Sequence, residues 1–268
     1  MADNPNLGTL MAGKRGLIMG VANDHSIAWG IAKSLSEQGA ELAFTYQGDA
    51  FGKRLAPLAQ SIGSDILLPC DVEDIDSVDA VFAALKDKWG SIDFLVHSIG
   101  FSDRNELKGR YADTSRENFI RTMVISCFSF TEIAKRAAEM MNEGGSMLTL
   151  TYGGSTKVMP NYNVMGVAKA ALESSVRYLA NDFGNAGIRI NALSAGPMRT
   201  LAGAGISDSR AMFNFQRSHS PLRKSITLEN VGGSALYLLS PLSGGVTGEI
   251  HFVDAGYNII STPDPKNL

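Results

Sequence analysis

The chain has 268 residues, 44% hydrophobic and 19% charged, ordinary values for a globular protein that forms one large domain or two small ones. A net charge of −3 speaks against a general nucleic-acid surface, which needs a basic balance. No apolar stretch approaches the length that spans a bilayer, and the N-terminus lacks a secretory pattern, so no membrane partner and a cytoplasmic location are expected. Cys70 and Cys127 lie far apart in apolar surroundings, which suits two reduced core thiols.

In chain order, Arg15–Gly20 reads as a short apolar strand stopped by a glycine. Ser26 stands as N-cap of a helical pattern from Ile27, which Gly39 ends, and Glu41–Tyr46 is the next strand. These three pieces form one βαβ unit with a right-handed crossover. Asp65–Cys70, Asp93–Ile99, Ser146–Thr151, Ile188–Leu193 and Glu249–Val253 read as five further strands. Between them lie an amphipathic helix at Ile75–Trp89 (Val78, Val81, Phe82 and Leu85 on one face) and a long helical stretch at Ser115–Met141. A third helix begins near Tyr162. The alternation predicts the α/β class: a doubly wound parallel sheet of about seven strands, helices on both faces, residues 1–268 as a single domain. Ala195–Ser225 is a long excursion after a strand's carboxyl end, where lids and binding loops occur.

Ligands of such sheets bind at the carboxyl ends of the strands. Gly20-x5-Ser26-x3-Gly30 places a glycine turn and a helix N-terminus there, an arrangement suited to a phosphate. Gly20 allows the turn, Ser26 can add a hydroxyl, and Gly30 lets the helix pack closely; a plain glycine turn fits the same residues. Gln47 stands at the end of the second strand where an acid usually holds ribose hydroxyls. With no Arg or Lys immediately after it, a 2′-phosphate is disfavoured, although Lys53 and Arg54 follow. Asp71 and Val72 close the third strand, where the carboxylate either meets an adenine amino group or serves the N-terminus of the next helix. Ser98-Ile99-Gly100 leaves room for a flat ring.

Tyr152 leaves the fifth strand, and Tyr162 and Lys169 lie seven apart on the following helix, nearly on one face. An ammonium there can lower a phenol's pKa from about 10, so that the hydroxyl gives a proton to a developing oxyanion. The residues alone equally fit Tyr162 as a packed helix start and Lys169 as a solvated charge. None of the four histidines has a partner at metal-ligand spacing, so no metal is expected, and His97 reads as a satisfied core histidine.

From about Gly13 to Tyr257 the chain resembles the enoyl-acyl-carrier-protein reductases of bacterial type II fatty acid synthesis, a divergent branch of the short-chain dehydrogenase/reductases with a Rossmann-type fold. The motifs that carry the resemblance are Gly20-x5-Ser-Ile-Ala-x-Gly30, Phe44-Thr-Tyr-Gln47, Cys70-Asp-Val72, Val96-His-Ser-Ile-Gly-Phe101, Pro160-Asn-Tyr-Asn-Val-Met-Gly166 and Ser194-Ala-Gly-Pro-Met-Arg-Thr-Leu-Ala202. Tyr162-x6-Lys169 discriminates most, because relatives that reduce ketones carry Tyr-x3-Lys and this chain has Met165 at that position. The resemblance implies reduction of a 2-enoyl thioester carried by acyl carrier protein, with NADH as cofactor and a homotetramer as the assembly. It implies Gly20, Ser26 and Ile27 on the pyrophosphate side, Gln47 at the adenosine ribose, Asp71 and Val72 at the adenine, and Ile99 beside the nicotinamide. The resemblance likewise implies that Lys169 binds the nicotinamide ribose and that Met198, Arg199, Thr200, Leu201 and Ala202 contact the carboxamide and pyrophosphate. It implies Ser102 as a substrate contact, Tyr162 as the oxyanion donor, Tyr152 as an auxiliary residue, and residues 201–220 as the substrate-binding loop. Met159, Met165, Met198 and Met212 either line the acyl slot or simply pack. Gly153-Gly154 after Tyr152 and His25 in the phosphate turn depart from the pattern. A 3-ketoacyl thioester reductase on the same fold and a non-catalytic dinucleotide-binding sensor are the alternatives.

Overall fold

The computed structural model describes residues 8–200 and 209–262. Its seven strands are β1 (Arg15–Met19), β2 (Glu41–Tyr46), β3 (Ile66–Pro69), β4 (Ile92–His97), β5 (Met141–Thr151), β6 (Arg189–Ala195) and β7 (Ile250–Val253). They pair in parallel in the order β3-β2-β1-β4-β5-β6-β7. The order reverses between β1 and β4, and that switch point is where a doubly wound sheet opens a crevice.

The central strands β1 and β4 and the second half of β5 are largely apolar and buried because both faces of the sheet are covered there. Side chains alternate between two cores. Leu17, Met19, Leu95 and Met147 face one side with α3 (Ile75–Trp89), α5 (Ser129–Ala138) and α6 (Asn163–Gly184). Ile18, Phe44, Phe94, Val96 and Leu148 face the other with α1 (Ile27–Ser36) and α8 (Leu228–Leu239). Each such fully buried large side chain contributes roughly 1.5–3 kcal/mol.

The alternation expected from the sequence is present, with differences that bear on the site. Three helices escape the periodic reading, one of them inside the excursion after β6. α2 (Gly48–Ser61) holds Pro57 and begins with glycine, which hides its pattern, and α8 announces itself only through a capping box between Thr227 and Asn230. The long stretch from Ser115 is α4 (Arg116–Met123), a π-helical turn at Val124–Phe128, and α5. β5 starts at Met141, earlier than expected, and β4 ends at His97, so Ser98 and Ile99 leave the sheet. The excursion after β6 contains α7 (Ser209–His219).

α1 and α8 approach through glycines. A Cβ on Gly30 would lie 2.8 Å from the Leu228 Cβ, and one on Gly232 would lie 2.9 Å from the Gly30 carbonyl oxygen and collide with the Ser34 hydroxyl. The close packing read for Gly30 is therefore helix on helix, and it holds the helix whose N-terminus faces the switch point. Gly232→Ala is expected to cost about 1–3 kcal/mol of stability, the range for an overpacked contact. Denaturant midpoints at equal protein concentration check this; an unchanged midpoint would contradict the packing.

Candidate active site

Gly20 follows β1 with φ +96°, and a Cβ there would collide with the Ser98 carbonyl, so the turn requires glycine. Ser26 is the N-cap of α1, but its hydroxyl makes no cap bond. Instead Ser26 Oγ accepts from the Ala22 N–H at 3.0 Å and the Asn23 N–H at 3.1 Å, pinning the turn from inside. The Ser26 hydroxyl and the Ala22, Asn23, His25 and Ser26 amides are therefore spent on the turn itself, and what the turn presents is the N-terminus of α1. No acid occupies the first turn of α1, so the positive end of the helix is left uncompensated.

Gln47 and Asp71 come together at the ends of β2 and β3, where Gln47 Nε2 donates to Asp71 Oδ2 at 2.9 Å. The helix cap that Asp71 was equally suited to belongs to Asp74, whose side chain accepts from the Asp76 and Ser77 N–H groups. Asp71 stands on the sheet edge beside Gln47 and its Oδ1 accepts from the Glu73 N–H at 3.0 Å in the turn into α3, while Val72 is buried in the core beneath.

The ends of β4, β5 and β6 open onto a cavity of about 390 Å³ that gathers Ile27, Ile99, Ser102, Tyr152, Tyr162 and Lys169. Met198 and Thr200, beyond β6, and Met212 and Phe213, from α7, reach the same cavity. Arg199 lines an adjacent cavity with His25 and Arg217. Leu201 and Ala202 lie outside the described residues. Of the four methionines, Met165, Met198 and Met212 line the main cavity, whereas Met159 packs beside Tyr162. A Cβ on Gly100 would point at Met165 Cε (3.5 Å) and Lys169 Nζ (3.8 Å), so the side chain it lacks is space in the site.

Tyr162 starts α6 between two asparagines with positive φ, Asn161 at +59° and Asn163 at +33°. Asparagine tolerates that region, and Asn163 Nδ2 donates to the Glu106 and Gly109 carbonyls at 3.3 Å each. The Tyr162 ring leaves no room for a Cβ on Gly154, and Gly166 lies under the Gly154 carbonyl. The unexpected Gly153-Gly154 pair thus contains one glycine that seats the tyrosine and one, Gly153, that faces open space. Tyr152 stands edge-on to Tyr162, ring centroids 5.1 Å apart at 73°.

Lys169 is buried, and its ammonium donates to the Leu150 carbonyl at 2.8 Å. Burial pushes Lys169 down to about 8, against the opposing influence of Cys127 and Glu173. The lowering of the Tyr162 phenol by that ammonium, expected from the spacing, is not what the structure holds. Burial, with Tyr152 and Glu173 nearby, pushes Tyr162 well above its usual value, and burial with Tyr257 pushes Tyr152 up to about 12. Both phenols are therefore neutral hydrogen-bond donors, not phenolates.

Residues that sequence reasoning passed over complete the site. In the π-helical turn, Ser126 Oγ accepts from the Phe101 N–H and donates to the Phe101 carbonyl, both at 2.9 Å, fixing the loop after β4. Ser102 Oγ accepts from Thr122 Oγ1 at 2.9 Å and Asn118 Nδ2 at 3.2 Å. Glu173 is buried one turn beyond Lys169 and accepts from Thr151 Oγ1 at 2.7 Å. An acid on the buried stripe of α6, between Leu172 and Val176, is the one signal that pointed to it. His97 bonds Thr149 and Ser129 in the core and is pushed down to about 3 by burial, the satisfied histidine its strand position suggested.

An open parallel sheet reversing its order beneath a glycine turn, with a site at its carboxyl edge, is a Rossmann-type α/β protein. Residues 20–258 match the family model described as Enoyl-(Acyl carrier protein) reductase. Enoyl-[acyl-carrier-protein] reductase [NADH] 2 of Rhizobium meliloti (strain 1021) is 76% identical over 259 residues, 97% of each chain. The crystal structure of FabI from Candidatus Liberibacter asiaticus superposes with a TM-score of 0.94 at 61% identity, covering 96% of this chain and 100% of that one. That of the enoyl-(acyl-carrier-protein) reductase from Anaplasma phagocytophilum in complex with NAD gives 0.94 at 56% identity, covering 97% and 99%. The chain belongs to the enoyl-(acyl carrier protein) reductase family.

Because both site phenols are raised above their usual values, neither ionises near neutral pH. Ultraviolet titration of wild type against Tyr162→Phe is expected to show no phenolate from Tyr162 below about pH 10, the ordinary tyrosine value. A phenolate difference signal at neutral pH would contradict this electrostatic picture.

Proposed function

We propose that this chain reduces the 2,3 double bond of trans-2-enoyl-acyl-carrier-protein thioesters with NADH, the last reductive step of each elongation cycle in type II fatty acid synthesis. The observation that carries the reading is Tyr162 and Lys169 facing one cavity, with the thioether of Met165 between them. A phenol one turn further from the lysine is displaced by about 4.5 Å along the helix. A ketone reductase needs its donor at the carbonyl that receives hydride. Enoyl reduction adds hydride at the β-carbon while charge builds on the thioester oxygen two atoms away, so the donor must stand further off.

The residues present fit a nicotinamide dinucleotide. The glycine turn at Gly20 leads to a helix N-terminus without an acid, Gln47 and Asp71 offer hydrogen-bonding groups at one end, and Gly100 leaves space at the other. Bound there, the cofactor supplies the hydride. Lys169 holds the nicotinamide ribose through charge-assisted hydrogen bonds, with Ile99 beside the ring and Met198–Ala202 along the carboxamide and pyrophosphate. The neutral Tyr162 phenol donates to the thioester oxygen as charge develops there, and Tyr152 supports it from the strand end. Ser102 contacts substrate. Residues 201–220 form the substrate-binding loop, a role supported by Met212 and Phe213 reaching the cavity.

The working assembly is a homotetramer in the cytoplasm, serving acyl carrier protein. Exposed Ile120, Phe128 and Tyr178 on α4, the π-helical turn and α6 support burial against further copies. No helix among the described residues is long and apolar enough to cross a membrane.

The assay that tests this reading is NADH oxidation with a 2-enoyl thioester against an acetoacetyl thioester. Turnover with the enoyl substrate alone is expected; preference for the keto substrate would make the chain a ketoreductase, and turnover of neither a sensor. kcat/KM is expected to be higher with NADH than with NADPH, because Gln47 brings no charge and the Asp71 carboxylate beside it repels a 2′-phosphate. The reverse preference would shift the assignment to Lys53 or Arg54.

A further inference from the structure

α6 reaches the end of β5 through two buried ionisable side chains. Lys169 donates to the Leu150 carbonyl at 2.8 Å, and four residues on Glu173 accepts from Thr151 Oγ1 at 2.7 Å. Positions four apart are neighbours on one helix face, and Leu150 and Thr151 are the last two residues of the strand before Tyr152. Both side chains are more than nine-tenths buried, Lys169 at 7% exposure and Glu173 at 6%. A carboxylate is costly to bury, Thr151 supplies one hydrogen bond where several are usual, and the opposite charge on the same buried helix face is Lys169, one turn back.

We propose that Glu173 is a positioning residue of this site, a buried counter-charge that keeps the Lys169 ammonium protonated while its bond to Thr151 fixes the strand end carrying Tyr152. The inference rests on the reading of Lys169 as the group that holds the cofactor. The other groups facing Lys169 do not supply negative charge near neutral pH. Tyr162 on α6 and Tyr152 after β5 are phenols raised by burial, the Cys127 thiol of the π-helical turn is raised by burial, and His97 of β4 is neutral. Glu173 is the remaining source.

The test is NADH affinity against pH by fluorescence titration for wild type, Glu173→Gln and Lys169→Ala. Gln keeps the shape and can still accept from Thr151, so a purely structural role predicts an unchanged profile. The counter-charge predicts that binding by Glu173→Gln matches wild type at pH 6 and weakens at a lower pH on the alkaline side. Its upper limb moves down by about one unit, and at pH 8 affinity falls about fivefold. Glu173→Asp, which keeps the charge, restores the limb. A pH profile of Glu173→Gln superposing on wild type overturns the proposal, whereas unchanged binding by Lys169→Ala overturns the reading beneath it. If Glu173→Gln does not fold, the wild-type protein decides. Nuclear magnetic resonance of 13Cε-labelled lysine is then expected to show the Lys169 side chain as a charged ammonium at pH 7, and a neutral amine there overturns the proposal.

Discussion

The bond from the Lys169 ammonium to the Leu150 carbonyl is the constraint on which the site depends. It ties the helix after β5 back to the strand it left, across a loop of eleven residues from Tyr152 to Tyr162, and it does so with a charge taken out of water. A buried ammonium is stable only with good partners, so the helix is held in one register. That register decides which residues face the cavity. Tyr162 and Lys169 do, and Met165 between them does so without a polar hydrogen.

Around this contact the fold supplies rigidity and the loops supply chemistry. The parallel sheet sets the ends of β1, β4, β5 and β6 side by side, and the glycines at Gly20 and Gly154 admit a carbonyl and a ring where a side chain would not fit. Ser26, Ser126 and Glu173 are all spent on holding backbone or neighbouring side chains in place. Preorganisation of this kind means that donors aimed at a developing charge need not reorient during reaction.

Much of this was legible in the sequence. Apolar runs that stop at glycine located the strands, and Tyr152, Tyr162, Lys169, Ile99 and Ser102 do meet in one cavity. What was not legible has physical reasons. α2 is masked by Pro57 and its glycines, and the π-helical turn has the same composition as the helices on either side. The Asp71–Gln47 contact joins residues 24 positions apart, and the Thr151–Glu173 bond joins residues 22 apart, so no local pattern contains either. The direction of the phenol pKa is not legible because spacing shows the charge of Lys169 but not the burial that raises Tyr162. A neutral phenol suits the chemistry better than a phenolate, since it has a proton to donate.

In the proposed reaction everything turns on Tyr162 as the donor to the thioester oxygen. Single-turnover hydride transfer from NADH to a 2-enoyl thioester, in Tyr162→Phe and Tyr152→Phe beside wild type, isolates that step. Loss of one such donor is expected to slow it by about 10²–10³ in Tyr162→Phe, with NADH affinity nearly unchanged because the ring and its packing remain. Tyr152→Phe is expected to lose less. A larger loss in Tyr152→Phe would exchange the roles of the two tyrosines, and wild-type rates in both would contradict the account.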